Sequence, residues 1–221
     1  MTVNHGTTWL WQTPGMSVTE HESQGSSFAR PTEWPPAFQK VTLNDDWIIE
    51  VQCAAIRAFR LYDKSCSDEH RRDAVRRKIF GKLGEAAVAI YRGLPATALY
   101  ATDLNAGDID GIEVKFCSRH TSPRLIVPER DRSNIERQMR PYVLVVPVDP
   151  VKTGEFAHDP FELAVQYRDL YLVGWLLGRE VFKFQKEADH RGNDVISVAP
   201  RHLKPMNELR RGLTHHHGAD R

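Results

Sequence analysis

Apolar positions recur at helical spacing in the first half of the chain and at strand spacing in the second, which predicts an α/β protein with a helical N-terminal part. From Trp47 to about Leu61, Ile48, Val51, Ala55, Ile56 and Phe59 mark one helical face, with Asn44 or Asp45 as its cap. A second helix is expected from about Asp68 to Phe80, opening after Ser67 and ending at Gly81. A third runs through Glu85, Val88, Ala89 and Tyr91 and closes at Gly93-Leu94-Pro95. Beyond these the period shortens. Ile112 to Cys117, Leu125 to Pro128, Tyr142 to Val148, Tyr171 to Leu177, Val181 to Phe184 and Val195 to Val198 read as strands, rich in Val, Ile, Leu and aromatic residues. The run YVLVVPV is apolar on both faces and belongs at the centre of a sheet. Ser133 to Met139 reads as a short helix or a loop, Pro160 to Tyr167 as a short helix, and Leu203 to Leu213 as a terminal helix.

The ends of the chain lack this periodicity. Residues 1–40 hold Gly, Ser, Thr, Pro and the isolated Trp9, Trp11 and Trp34, which suggests an extended or flexible arm whose tryptophans dock on the core or stack on bases. Residues 41–213 are expected to form one domain, since 221 residues bury one substantial core. Residues 214–221 form a polar tail. Its His215, His216 and His217 are adjacent on a chain end, where they cannot all turn to one ion in a rigid site.

A net charge of +1 excludes a wholly basic nucleic-acid coat but leaves two local basic runs. Arg71, Arg72, Arg76, Arg77, Lys78 and Lys82 form the first; Arg119, His120, Arg124, Arg130, Arg132, Arg137 and Arg140 form the second. Both suit phosphate contacts without base readout, or a solvated surface. Three cysteines, Cys53, Cys66 and Cys117, show no metal-type spacing and no disulfide framework, which fits a reducing cytosol. No run approaches the about 18 apolar residues that span a bilayer, and no secretory leader is recognisable, so a soluble cytoplasmic protein is expected. No phosphate-binding loop of the P-loop type and no Ser or Cys nucleophile signature occurs.

The chemistry concentrates in Gly107-Asp108-Ile109-Asp110-Gly111-Ile112-Glu113-Val114-Lys115. Asp110-Gly111 is a two-residue turn signal, and Ile109 and Ile112 are its strand flanks. With that turn, Ile109 pairs with Ile112, Asp108 faces Glu113, and the period of two puts Lys115 on the same face. Two opposed acids repel unless something positive lies between them. Oxygen ligands suit Mg²⁺, with Mn²⁺ as the alternative, rather than Zn²⁺. Such an ion, held by Asp108 and Glu113, would polarise a phosphoryl oxygen and lower the pKa of a bound water, with Lys115 serving the water or the transition state.

An acid followed by Glu-x-Lys resembles the metal-dependent nucleases of the PD-(D/E)XK superfamily, with Asp108 as first acid and Glu113-Val114-Lys115 as second half-motif. Many members add a Glu on the preceding helix, and Glu85 is in that place. The string from GDIDGIEVK through RLIVPERDR and RPYVLVV to YLVGWLLGRE, about residues 78 to 205, also resembles small nuclease-like proteins of phages and mobile elements. No Pro precedes Asp108 and the gap to Glu113 is short, so Asp110 and Asp103 are alternative first acids. The resemblance implies a restriction-endonuclease-like core with a central mixed, mostly antiparallel sheet flanked by helices. It also implies Mg²⁺-dependent hydrolysis of phosphodiester bonds, in DNA ahead of RNA, by Glu85, Asp108, Glu113 and Lys115, with Asp108, Glu113 and Glu85 around the metal. Two other readings stand beside it: a non-catalytic nucleic-acid-binding or assembly module that keeps the fold, and a dimeric, sequence-specific restriction endonuclease. A carboxylate near a helix N-terminus is favoured by the dipole anyway, which is an ordinary reason for Glu85 to stand at the start of the expected third helix.

Overall fold

The computed structural model describes residues 38–62, 68–100, 108–118, 122–149, 151, 159–189 and 191–213. Residues 1–37, with the three tryptophans of the expected arm, the histidine tail, Cys66, Asp103, Arg119 and His120 lie outside the described residues, as do the side chains of Arg71 and Arg72. A four-stranded sheet runs in the order β1 (Gln39–Thr42), β5 (Asp169–Leu177), β4 (Pro141–Pro147), β2 (Glu113–Phe116). β1 and β4 are antiparallel to β5, and β2 is parallel to β4, so the sheet is mixed and mostly antiparallel as expected. A second, antiparallel sheet runs β3 (Leu125–Pro128), β7 (Asp194–Val198), β6 (Lys186–Ala188).

β4 explains its own sequence. Val143 and Val145 join the core formed with α1 (Asp45–Tyr62), α2 (Asp68–Arg92) and α4 (Pro160–Gln166), while Tyr142, Leu144 and Val146 join a second core with β3 and β7. Both faces are covered, so alternation is lost and every residue of the strand is buried. Each such side chain contributes roughly 1.5–3 kcal/mol by leaving water.

α2 is one helix where the glycine pattern predicts two. Gly81 and Gly84 both lie inside it, because burial of Ile79, Leu83, Ala86 and Ala87 against α1 and the sheet outweighs the roughly 1 kcal/mol that an interior glycine costs. Gly84 has a packing role. A Cβ there would stand 3.1 Å from Val114 Cγ1, so its absence lets α2 lie close on β2.

Three further expectations are corrected. Val181 to Phe184 is not a strand: Val181 ends the short helix α5 (Gly178–Val181), and Phe182 follows it into the second core. A four-residue stretch has too little periodicity to separate these outcomes. β1 takes in Gln39 and Lys40 at the end of the expected arm, with only Val41 as an aliphatic signal. The last helix, α6 (Met206–Leu213), starts later than expected because Lys204 first bridges to Trp175 and Pro205 ends that extended segment.

Gly178 sits beneath α3 (Ile135–Met139), where a Cβ would overlap the Arg137 carbonyl and stand 2.9 Å from Gln138 Cα. Gly178→Ala is therefore expected to cost about 1–3 kcal/mol. Gly81→Ala, whose Cβ meets nothing within 4 Å, is expected to stabilise by about 0.5–1 kcal/mol. Opposite shifts of the urea midpoint check the pair.

Candidate active site

Asp110 and Gly111 both adopt positive φ, 49° and 74°, the backbone of a type I′ turn that Asp-Gly favours. Ile109 and Ile112 pair as expected, exchanging hydrogen bonds of 2.8 and 3.1 Å. The ladder then stops. Asp108 N–H also donates to Ile112 O at 3.0 Å, so Asp108 does not face Glu113 across a continued hairpin.

The edge of the sheet decides where Asp108 goes instead. Cys117 N–H donates to Val145 O at 2.8 Å, and in a parallel ladder the alternate residues point the same way, so Val114 N–H points away from β4. An unpaired donor on an edge strand needs an acceptor, and Asp108 Oδ2 supplies it at 2.8 Å. Glu113 and Lys115 project on one face of β2, Val114 packs toward α2 on the other, and Asp108 stands at the edge between them. The expected single face is therefore an arrangement around a strand edge.

Glu113 is only 2% exposed. Its Oε1 accepts from Arg140 at 3.0 Å; its Oε2 accepts from Arg137 at 3.1 Å and from Lys115 at 3.4 Å. Both arginines come from or adjoin α3, which Asn134 caps by accepting the Arg137 N–H at 3.1 Å. Arg137 also holds the buried Asp131 at 3.1 Å. Burial pushes the Arg137 guanidinium down, but Glu113 and then Asp131 outweigh it and its pKa is raised. Protein cations thus engage both Glu113 oxygens.

Glu85 lies in the interior of α2, which removes the helix-dipole reason for a carboxylate there. Lys82 Nζ donates to Glu85 Oε2 at 2.5 Å and to Leu99 O at 2.9 Å. Burial raises the Glu85 carboxyl to about 7; Lys82 opposes the shift and the Asp108 charge adds to it. Asp108 is raised as well, by burial first; Lys115 opposes that and Glu113 adds to it. Glu85, Asp108, Glu113 and Lys115 therefore form one electrostatic cluster, reached from the helix side, the edge and the far face of β2.

Asp110 turns to Arg92 at 3.1 Å, outside this cluster, so of the two nearby aspartates Asp108 is the one placed at the edge. Among the described residues, no group of three or more His, Cys, Asp or Glu side chains is arranged to enclose a metal. The donor set divides. Both Glu113 oxygens are engaged by cations, whereas Asp108 and Glu85 each keep one oxygen with no donor among the described residues. Two repelling carboxylates with free oxygens fit a hydrated Mg²⁺ or Mn²⁺, which needs few protein ligands.

Sequence reasoning missed Lys82 as a partner of Glu85, and Arg137 and Arg140 as partners of Glu113. The spacing i, i+3 in Lys82/Glu85 and in Arg137/Arg140 is the signal that places each pair on one side of its segment. No family model matches the chain, and no curated protein or solved structure matches it. No helix among the described residues is long and apolar enough to cross a membrane.

A carboxyl raised from 4.5 to about 7 in the folded state binds its proton more tightly there than in the unfolded chain. The resulting stability is fully present below 4.5 and is lost as pH rises through about 7, a contribution of about 3 kcal/mol. In EDTA, the wild type is expected to lose more unfolding free energy between about pH 5 and about pH 8 than Glu85→Gln, which has no proton to lose. Urea denaturation at both pH values measures the difference.

Proposed function

We propose that the chain is a metal-dependent nuclease that hydrolyses phosphodiester bonds, with DNA as substrate. The observation that carries this reading is the convergence of Glu85 from α2 with Asp108, Glu113 and Lys115 around the edge of β2, where burial raises the carboxyls of both Glu85 and Asp108, the Asp108 charge adding to the first shift and the Glu113 charge to the second. The free oxygens of Asp108 and Glu85 would hold Mg²⁺ or Mn²⁺, which when bound polarises a phosphoryl oxygen and acidifies a water. Glu113 does not act as a ligand in this arrangement; it orients Lys115 and is itself held by Arg137 and Arg140. The Lys115 ammonium, 3.4 Å from Glu113 and 5.6 Å over the Tyr142 ring, is fixed in place to face the charge that develops on phosphorus-bound oxygens. Glu85, one oxygen held by Lys82, would offer its other oxygen to the metal and so help to acidify that water. Attack forms the new oxygen–phosphorus bond as the bond to the leaving sugar oxygen breaks; the attacking water loses its proton to bulk water, and the leaving oxygen takes one from bulk water.

A second reading has its own observation. Because protein cations neutralise Glu113 and no three-ligand metal group occurs among the described residues, the same scaffold suits a non-catalytic nucleic-acid-binding module. Incubation of supercoiled plasmid and single-stranded DNA with Mg²⁺ or Mn²⁺ separates the two. The nuclease reading expects cleavage that EDTA abolishes and that Asp108→Asn or Lys115→Ala lowers at least about a hundredfold, with circular dichroism unchanged. DNA binding without metal-dependent cleavage of either substrate rejects the nuclease and favours the module.

A further inference from the structure

Lys115 belongs to a second feature, a groove of about 340 Å³ that wraps around the free edge of β2 between α2 and β3. Arg77, Phe80 and Gly81 line it from α2, Lys115 and Phe116 from β2, and Arg124 from the approach to β3. Its chemistry has three parts. Arg77 and Arg124 are exposed, and neither has an acidic partner among the described residues, unlike Arg76, which pairs with Asp73 on the same helix. Phe80 and Phe116 stack at 4.9 Å with an interplanar angle of 17° and give the groove a partly exposed aromatic wall. Phe116 N–H, like that of Val114, points away from β4, and no described residue accepts it.

Guanidinium groups, an outward backbone N–H and an aromatic wall beside one another are the combination that holds an unpaired strand, with phosphates on the cations and a base against the rings. The volume is at the small end for ligand sites and takes about one nucleotide, not a base pair. We propose that this groove binds single-stranded DNA, with Arg77 and Arg124 on the phosphates that flank the one presented to Lys115. The proposal deepens the nuclease reading by naming an unpaired strand as the form of its substrate, and it rests on that reading only for what happens at Lys115.

Anisotropy of a fluorescent oligothymidylate, titrated with the full chain in EDTA across a salt series, tests it with no cleavage needed. Arg77→Ala and Arg124→Ala are each expected to weaken binding about tenfold. The double variant is expected to flatten the slope of log affinity against log salt by about 1.4. Gly81→Leu, whose side chain grows into the open groove without altering charge, is expected to weaken binding while leaving the slope unchanged. Arg191→Ala, in the exposed turn between β6 and β7, is expected to change neither. Absence of oligothymidylate binding overturns the proposal, as does equal binding by the double variant and the wild type, or equal binding of the same strand as a duplex. Groove-dependent binding without metal-dependent cleavage upholds the groove and rejects the nuclease. Metal-dependent cleavage of single strands by the double variant at the wild-type rate under subsaturating substrate rejects the groove and upholds the nuclease.

Discussion

A carboxylate removed from water is costly by several kcal/mol unless its charge is matched on the spot, and Glu113 is removed from water at the edge of the sheet. Arg137, Arg140 and Lys115 match it, and to do so they require α3 to lie against the start of β2. That requirement propagates. Arg137 reaches on to Asp131 in the turn that leads out of β3, Asn134 caps the helix that carries Arg137, and Gly178 leaves the room in which α3 approaches β5. One buried charge thus ties together β2, α3, the end of β5 and the second sheet.

The opposite face of β2 is organised by contact instead of charge. Gly84 brings α2 down onto Val114 and Phe116, and the Phe80–Phe116 stack extends the contact along the helix. This close approach carries Glu85 to the strand edge, where Asp108 already stands because an outward N–H needs an acceptor. Around this edge Glu85, Asp108, Glu113 and Asp131 meet Lys82, Lys115, Arg137 and Arg140, four acids against four cations. The balance is close but local: Glu85 and Asp108 keep raised carboxyls. A fold optimised for stability alone would not hold two acids there, and such local conflict is characteristic of sites with a function.

Lys115 connects the acid cluster to the basic groove. Its carboxylate partner and the ring of Tyr142 restrict it on one side, and the groove opens on the other. On the proposed reading, binding and chemistry share one ammonium group, and a ligand would cover the edge strand that otherwise invites another chain.

Much of the architecture was legible because it depends on periodicity and turn chemistry, which are local. YVLVVPV announced a strand covered on both faces, Asp110-Gly111 announced its turn, and Asp108, Glu113 and Lys115 were named from their spacing, Glu85 only from the family resemblance. Where local signals compete, they misled: Gly81 suggested a helix end that burial on both sides of it overrode, and Val181 to Phe184 was too short to carry a period. Sequence by itself determined which side chains alternate, which residues turn and which acids stand near a lysine. Only the tertiary structure decided that β2 is an edge strand, that Asp108 serves that edge, and that two arginines from another segment neutralise Glu113. Those outcomes depend on which strands become neighbours and what water is excluded, and neither is a property of any short stretch of chain.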